Sequence, residues 1–178
     1  MSSFASSYIK TTVVAVTRNA DNLKAGIVGN IKSANGTIAL DFVLPLDLDS
    51  ALIDDTRLLR ARNGSGDAFM DVYLQGADVI RCKRFANFNV SGGGNINAGD
   101  VGKISVSWVE GVSDRVAGSL QGAPVSESTT AFSAIAETNG QIQIGSYDGS
   151  SFMPFCNIKN LRIYNKALSD AQMIALTS

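Results

Sequence analysis

The chain contains no histidine. That absence removes Ser-His-Asp and Cys-His nucleophilic catalysis and the commonest zinc ligand. Carboxylates remain for acid–base work. A retaining glycosidase holds two of them about 5–5.5 Å apart across the scissile bond. The only glutamates are Glu110, Glu127 and Glu137, and none stands in a paired motif. Aspartates from separate loops could supply a pair, but no spacing points to one. The expectation is a protein that is not an enzyme.

Asp47, Asp49, Asp54 and Asp55 could gather oxygen ligands for calcium. The spacing fails the helix-loop-helix calcium rule, because Ala51 takes the third ligand place and no glycine follows it. A solvated crossover loop is the plainer reading, so calcium is possible and no metal or other cofactor is identified. Arg57, Arg60 and Arg62, then Arg81, Lys83 and Arg84, form two basic strand segments. Positive strand residues more often solubilise an exposed face or guard an edge than bind nucleic acid. With a formal net charge of -1, no accumulated field favours nucleic acid or an anionic membrane. Cys82 and Cys156 are the only cysteines, too few for a disulfide framework, and are read as buried free thiols.

Tyr147, Asp148, Phe152 and Phe155 flank the loop Gly149-Ser150-Ser151. A sugar site needs an aromatic platform and hydrogen-bonding groups beside it, and this stretch holds both. Tyr147, Asp148 and Phe152 are therefore the candidate ligand-binding residues. The competing and preferred reading packs Phe152 and Phe155 under the loop, into the core.

The elements around these residues are strands. The chain has 178 residues, of which 45% are hydrophobic and 17% charged, enough for one domain spanning 1–178 with a real core. Residues 1–7 read as a polar tail. Met1 to Ser7 does not read as a secretory leader, which a mature secreted chain would equally show, and no apolar run approaches about 20 residues. Tyr8 to Arg18 is an interior strand. Lys24 to Ile31 and Thr37 to Leu44 follow, with Asn35-Gly36 between them as a hairpin turn. Pro45 to Asp55 breaks the pattern. Thr56 to Arg62 and Ala68 to Gln75 flank the turn Asn63 to Asp67. Asp78 to Phe88 reads as one strand and Ser91 to Asp100 as a glycine-rich loop. Lys103 to Val109 alternates, with Ile104, Val106 and Trp108 on one face. Arg115 to Leu120 returns. Gln141 to Ile144 and Ile158 to Tyr164 are the last strands, the second with an irregularity at Lys159-Asn160. Ser169 then caps a helix running to Leu176. Gln172 completes a capping box, and Leu168 with Met173 forms a hydrophobic staple.

Strands every 8–12 residues with turns between them are the pattern of a sandwich or barrel. The expected fold is all-β: a two-sheet antiparallel jelly-roll sandwich with one short C-terminal helix. Its expected core is Val14, Val16, Ile104, Val106, Trp108, Ile142, Ile144, Leu161 and Ile163.

The C-terminal motifs carry a resemblance. Ile144-Gly145, the strand Ile158 to Asn165 and the helix Ala167 to Ile174 resemble the closing elements of the concanavalin A-like lectin/glucanase superfamily, in its laminin-G-like branch. Trp108 and the step Gln121-Gly122-Ala123-Pro124-Val125 fit the preceding strands, with Gln121 where Asn is usual. Phe155-Cys156-Asn157 replaces the glycine that normally precedes the last strand. The motifs cover Lys103 onward, and earlier residues match by strand rhythm alone. The family's glucanases use two glutamates along one strand, and its legume lectins a histidine in their metal pair; this chain has neither. Laminin-G-like domains often hold calcium at the sheet rim, but no ligand carries over by spacing.

The resemblance implies a non-catalytic recognition or attachment module that binds glycan. The alternatives are a structural decoration, fibre or tail component of a viral particle, since such endings occur in phage tail and virion-surface proteins, and, disfavoured, a glycoside hydrolase. Expected partners are carbohydrate or protein neighbours in a multimeric assembly, with a homo-oligomer possible, and neither nucleic acid nor membrane. The compartment stays open, with a virion surface or extracellular setting suspected.

Overall fold

The computed structural model describes residues 23–26, 31–44, 56–66, 68–75, 79–84, 86–90, 96–111, 114–130, 139–144 and 157–178. In chain order the strands are β1 (Leu23–Gly26), β2 (Asn35–Val43), β3 (Thr56–Arg62), β4 (Ala68–Gln75), β5 (Val79–Arg84), β6 (Ala86–Val90), β7 (Val101–Val109), β8 (Arg115–Leu120), β9 (Ser126–Ser128), β10 (Gln141–Ile144) and β11 (Asn157–Tyr164), followed by the helix α1 (Asp170–Thr177). They form a six-stranded sheet, β1-β10-β3-β4-β5-β6, and a five-stranded sheet, β11-β2-β7-β8-β9. Every pairing is antiparallel. The expected all-β sandwich with a short closing helix is the observed one.

Alternation builds the core. Met70, Val72 and Leu74 of β4, Ile80 and Cys82 of β5, and Ile38, Leu40 and Phe42 of β2 are buried in one cluster with Ile104, Val106 and Trp108 of β7. Side chains two apart on a strand share a face, so each strand contributes a row to the space between sheets. Ile142 joins this cluster, and Ile144, Leu161 and Ile163 pack against it half-buried. Val14 and Val16 lie outside the described residues. Trp108 is fully buried, and its Nε1 donates to the Lys32 carbonyl oxygen at 3.0 Å, which satisfies its one polar atom inside the core.

Three local expectations need correction. Asn35-Gly36 is not a hairpin turn: both residues belong to β2, whose partners are β7 and β11, while β1 lies in the other sheet beside β10. The region Asp78 to Phe88 is not one strand. It divides into β5 and β6, which pair with each other, Cys82 opposite Phe88. The short edge strand β9 was not expected at all; its alternation spans only three residues.

The outward face of the five-stranded sheet seats α1. Ser105, Ala117 and Ser119 are small and fully buried there. Ser105 Oγ donates to the Met173 carbonyl oxygen at 3.2 Å, and Ser119 Oγ meets Thr177 Oγ1 at 3.0 Å. The capping box is complete: Gln172 N donates to Ser169 Oγ at 3.4 Å, and Ser169 N to Gln172 Oε1 at 3.0 Å. Leu168 and Met173 bury together against Ala117, the staple that fixes the chain's entry into the helix. Thr37 Oγ1 accepts from Leu168 N and donates to the Lys166 carbonyl oxygen, each at 2.9 Å.

Candidate functional site at the crossover end of the sandwich

Three turn-rich stretches connect one sheet to the other: 44–55 from β2 to β3, 91–100 from β6 to β7, and 145–156 from β10 to β11. Their bordering strand ends fall on common rows. In the five-stranded sheet Val43, the end of β2, pairs with Val101, the start of β7, and with Asn157, the start of β11. In the six-stranded sheet Thr56, Leu74, Ile80 and Val90 pair in succession, joining the start of β3 to the end of β6. β10 ends nearby at Ile144, opposite Leu59. Gly99 N donates to the Leu44 carbonyl oxygen at 2.8 Å, tying the second crossover to the start of the first. These three crossovers therefore leave and enter the sheets at one end of the sandwich, while the β1–β2 and β9–β10 crossovers do so at the other.

The described part of that end is a small turn. Asn97 N and Nδ2 both donate to Asp100 Oδ2, at 3.0 and 3.2 Å. Ile96 anchors the turn in the core, while 97–101 are exposed. Tyr147, Asp148 and Phe152 belong to the third crossover and lie outside the described residues, as do Asp47, Asp49, Asp54, Asp55, Asp67, Phe155, Cys156 and Glu137.

One row in from this end, the outward face of the six-stranded sheet carries a polar series that the sequence did not disclose. Arg57 pairs with Tyr73, Tyr73 with Arg81, and Arg81 with Asn89. Arg60 pairs with Asp71 and Gln143. Residues three apart on a regular strand face opposite ways, so Arg57 and Arg60 should have been divided between the faces. The register shift between Arg57 and Leu59 inserts Leu58 as an extra residue. Leu58 and Leu59 are therefore both buried, and both arginines reach Asp71: Arg57 Nε at 4.0 Å and Arg60 Nε at 3.7 Å from its carboxylate oxygens. The Arg57 guanidinium stacks over the Tyr73 ring at 4.1 Å from its centroid, a cation–π contact. The expectation of a solvated basic face fails here: Arg60, Asp71, Tyr73 and Gln143 are buried. Farther along the row exposure returns. Arg81 is half-buried, Asn89 is exposed, and Arg81 Nε donates to Asn89 Oδ1 at 3.1 Å.

A second charged group lies on the five-stranded sheet. Arg115 donates through Nε to Glu127 and through Nη2 to Asp170, each at 2.7 Å. Partial burial disfavours its charge, but the hydrogen bonds it donates to Glu127 and Asp170, with their negative charges, outweigh that and raise its pKa. Both acids serve one guanidinium, so this is an ion-pair clamp between β8, β9 and α1. Among the described residues, no three of His, Cys, Asp and Glu gather as a metal-binding group. No helix among them is long and apolar enough to cross a membrane.

No protein family matches the sequence, and no curated protein does either. Solved structures do share the fold. A heptameric pentraxin from Limulus polyphemus superposes with a TM-score of 0.60 at 16% identity, over 82% of this chain and 70% of that one. The binding domain of Paraclostridial Mosquitocidal Protein 1 gives 0.62 at 12% identity, over 88% of this chain and 40% of that one. A domain of an extracellular arabinanase from Geobacillus stearothermophilus, in complex with arabinotriose, gives 0.56 at 20% identity, over 82% and 67%. The chain thus shares the two-sheet β-sandwich fold of these structures.

Proposed function

We propose that this chain is a non-catalytic recognition module of the laminin-G-like kind, and that it binds carbohydrate at the crossover end of its sandwich. The observation that supports this reading is the common row of strand ends from which 44–55, 91–100 and 145–156 depart. Tyr147, Asp148 and Phe152, the aromatic and hydrogen-bonding residues of the third crossover, are the proposed contacts. The solved structures of similar fold include a domain holding arabinotriose and a toxin binding domain, which supports binding as the use of the fold without naming the ligand. Single sugar contacts are weak, and linked copies raise avidity by about 10²–10⁴. The module therefore works best in a homo-oligomer or attached to a multimeric partner.

A glycan array, followed by calorimetry on its hits, tests the reading. The double variant Tyr147→Ala with Asp148→Ala should lose binding while its melting temperature stays within about a degree or two of the parent's, as for substitutions that act on a ligand rather than on the core. Equal binding by the double variant removes this loop from the site. A parent chain that binds no glycan removes the function.

A further inference from the structure

We infer that Arg81 and Asn89 form a carboxylate-recognition point, and that the sugars this module takes are acidic ones. The inference rests on the glycan-binding reading and narrows it. Arg81 Nε is committed to Asn89 Oδ1 at 3.1 Å, which fixes the plane of the guanidinium. Its terminal nitrogens Nη1 and Nη2 make no hydrogen bond or ion pair among the described residues. Asn89 has its oxygen turned to Arg81, so its Nδ2 amide is the atom left for solvent.

The free atoms of the pair are thus three nitrogens, and all of them donate. A neutral polyol offers hydroxyls that donate as well as accept. A carboxylate only accepts, and its two oxygens match the guanidinium fork in spacing. The surrounding charge agrees. Arg57, Arg60, Arg62 and Arg81 stand on this outward face by register, against Asp71 as its described acid. Asp71 is engaged by Arg57 and Arg60, and among the described residues no carboxylate pairs with Arg81. The pair lies one rung from the row Thr56-Leu74-Ile80-Val90, beside the crossovers.

The test is calorimetry on the full chain with probes matched except for the carboxylate: an oligogalacturonide against its methyl ester, and sialyllactose against its methyl ester. At least one acidic probe should bind about tenfold or more tighter than its neutral match, as hydrogen bonds to a charged group imply. Arg81→Met should abolish that preference. Arg81→Lys should restore little of it, since lysine keeps the charge but not the fork. Asn89→Ala should weaken acidic binding several-fold. Melting curves of all three variants should match the parent. If neutral and acidic probes bind alike, or if Arg81→Met keeps the preference, the carboxylate point is wrong and the glycan reading stands. If Arg81→Lys binds like the parent, the charge acts without the fork and the inference is overturned. If no probe of either kind binds and the array is also blank, both readings fall.

Discussion

Gly36 lies against the face of Trp108 across the β2–β7 pair. A Cβ built on Gly36 would stand 2.5 Å from Cζ2 of the indole. The ring cannot retreat, because it is fully buried and its Nε1 is held by the Lys32 carbonyl oxygen. Gly36→Ala should therefore destabilise the fold by about 1–3 kcal/mol, the usual cost of overpacking a filled core. Urea denaturation followed by tryptophan emission measures it directly, since Trp108 is the single tryptophan. A stability equal to the parent's would mean that the ring has room to move.

At the other end of the chain, Ser169 and Gln172 exchange two hydrogen bonds at the start of α1. Ser169→Ala leaves the Gln172 amide without its acceptor and should cost about 1 kcal/mol. Ser169→Asp keeps an acceptor there and adds charge near the helix N-terminus, so it should recover most of the loss. The shift in denaturation midpoint for the two variants, read side by side, distinguishes a lost cap from general damage. An alanine variant as stable as the parent would show that packing of Leu168 and Met173 alone holds the helix.

The contrast between these two sites shows what was legible in the sequence. The cap was legible because its residues are local: Leu168, Ser169, Gln172 and Met173 lie within six consecutive residues, and their types define the motif. The irregularity in β11 was legible too, because Lys159-Asn160 interrupts the apolar spacing; Asn160 has φ +50 and its Nδ2 reaches Asp41 at 2.7 Å. Asn35-Gly36 misled for the opposite reason. The dipeptide's usual meaning is local, a tight turn, whereas here the glycine answers a distant ring. The Arg57–Arg60–Asp71 group stayed hidden because a single bulged residue, Leu58, changes which faces its neighbours take. Two adjacent leucines between arginines were the one signal of it. Arg81 and Asn89 could be paired only once β5 and β6 were known to be separate strands.

Asp71 is shared by Arg57 and Arg60, and the three side chains are 5%, 12% and 10% exposed. Taking charges out of water is costly, and removing one partner of a buried group costs more than the group contributes. Asp71→Asn keeps the shape but not the charge, and should destabilise by about 3 kcal/mol or more. Adding Arg60→Met to it should recover part of that loss, because one of the two buried positive charges goes too. Non-additive denaturation energies across the single and double variants would establish the coupling. Simple additivity would show that Asp71 acts through some other contact.

Cys82 gives the pH dependence. It is fully buried, opposite Val72 and Phe88 in the core of the six-stranded sheet. Burial pushes its thiol pKa far up, and the negative charge of Asp71 adds to the rise. The unfolded thiol ionises from about pH 8.5, so above that point the unfolded chain gives up a proton that the folded chain retains. Stability from this group is complete below the unfolded pKa and falls as pH rises past it, by at most about 1.4 kcal/mol per pH unit. In a Cys156→Ser background, native protein should resist an aromatic disulfide reagent at pH 7 and react only as it unfolds. Between pH 8 and 10 the denaturation midpoint should drop, and Cys82→Val should flatten that drop while leaving the neutral-pH fold intact. Rapid labelling of the folded protein, or an unchanged alkaline slope in the valine variant, would place the thiol in contact with solvent instead.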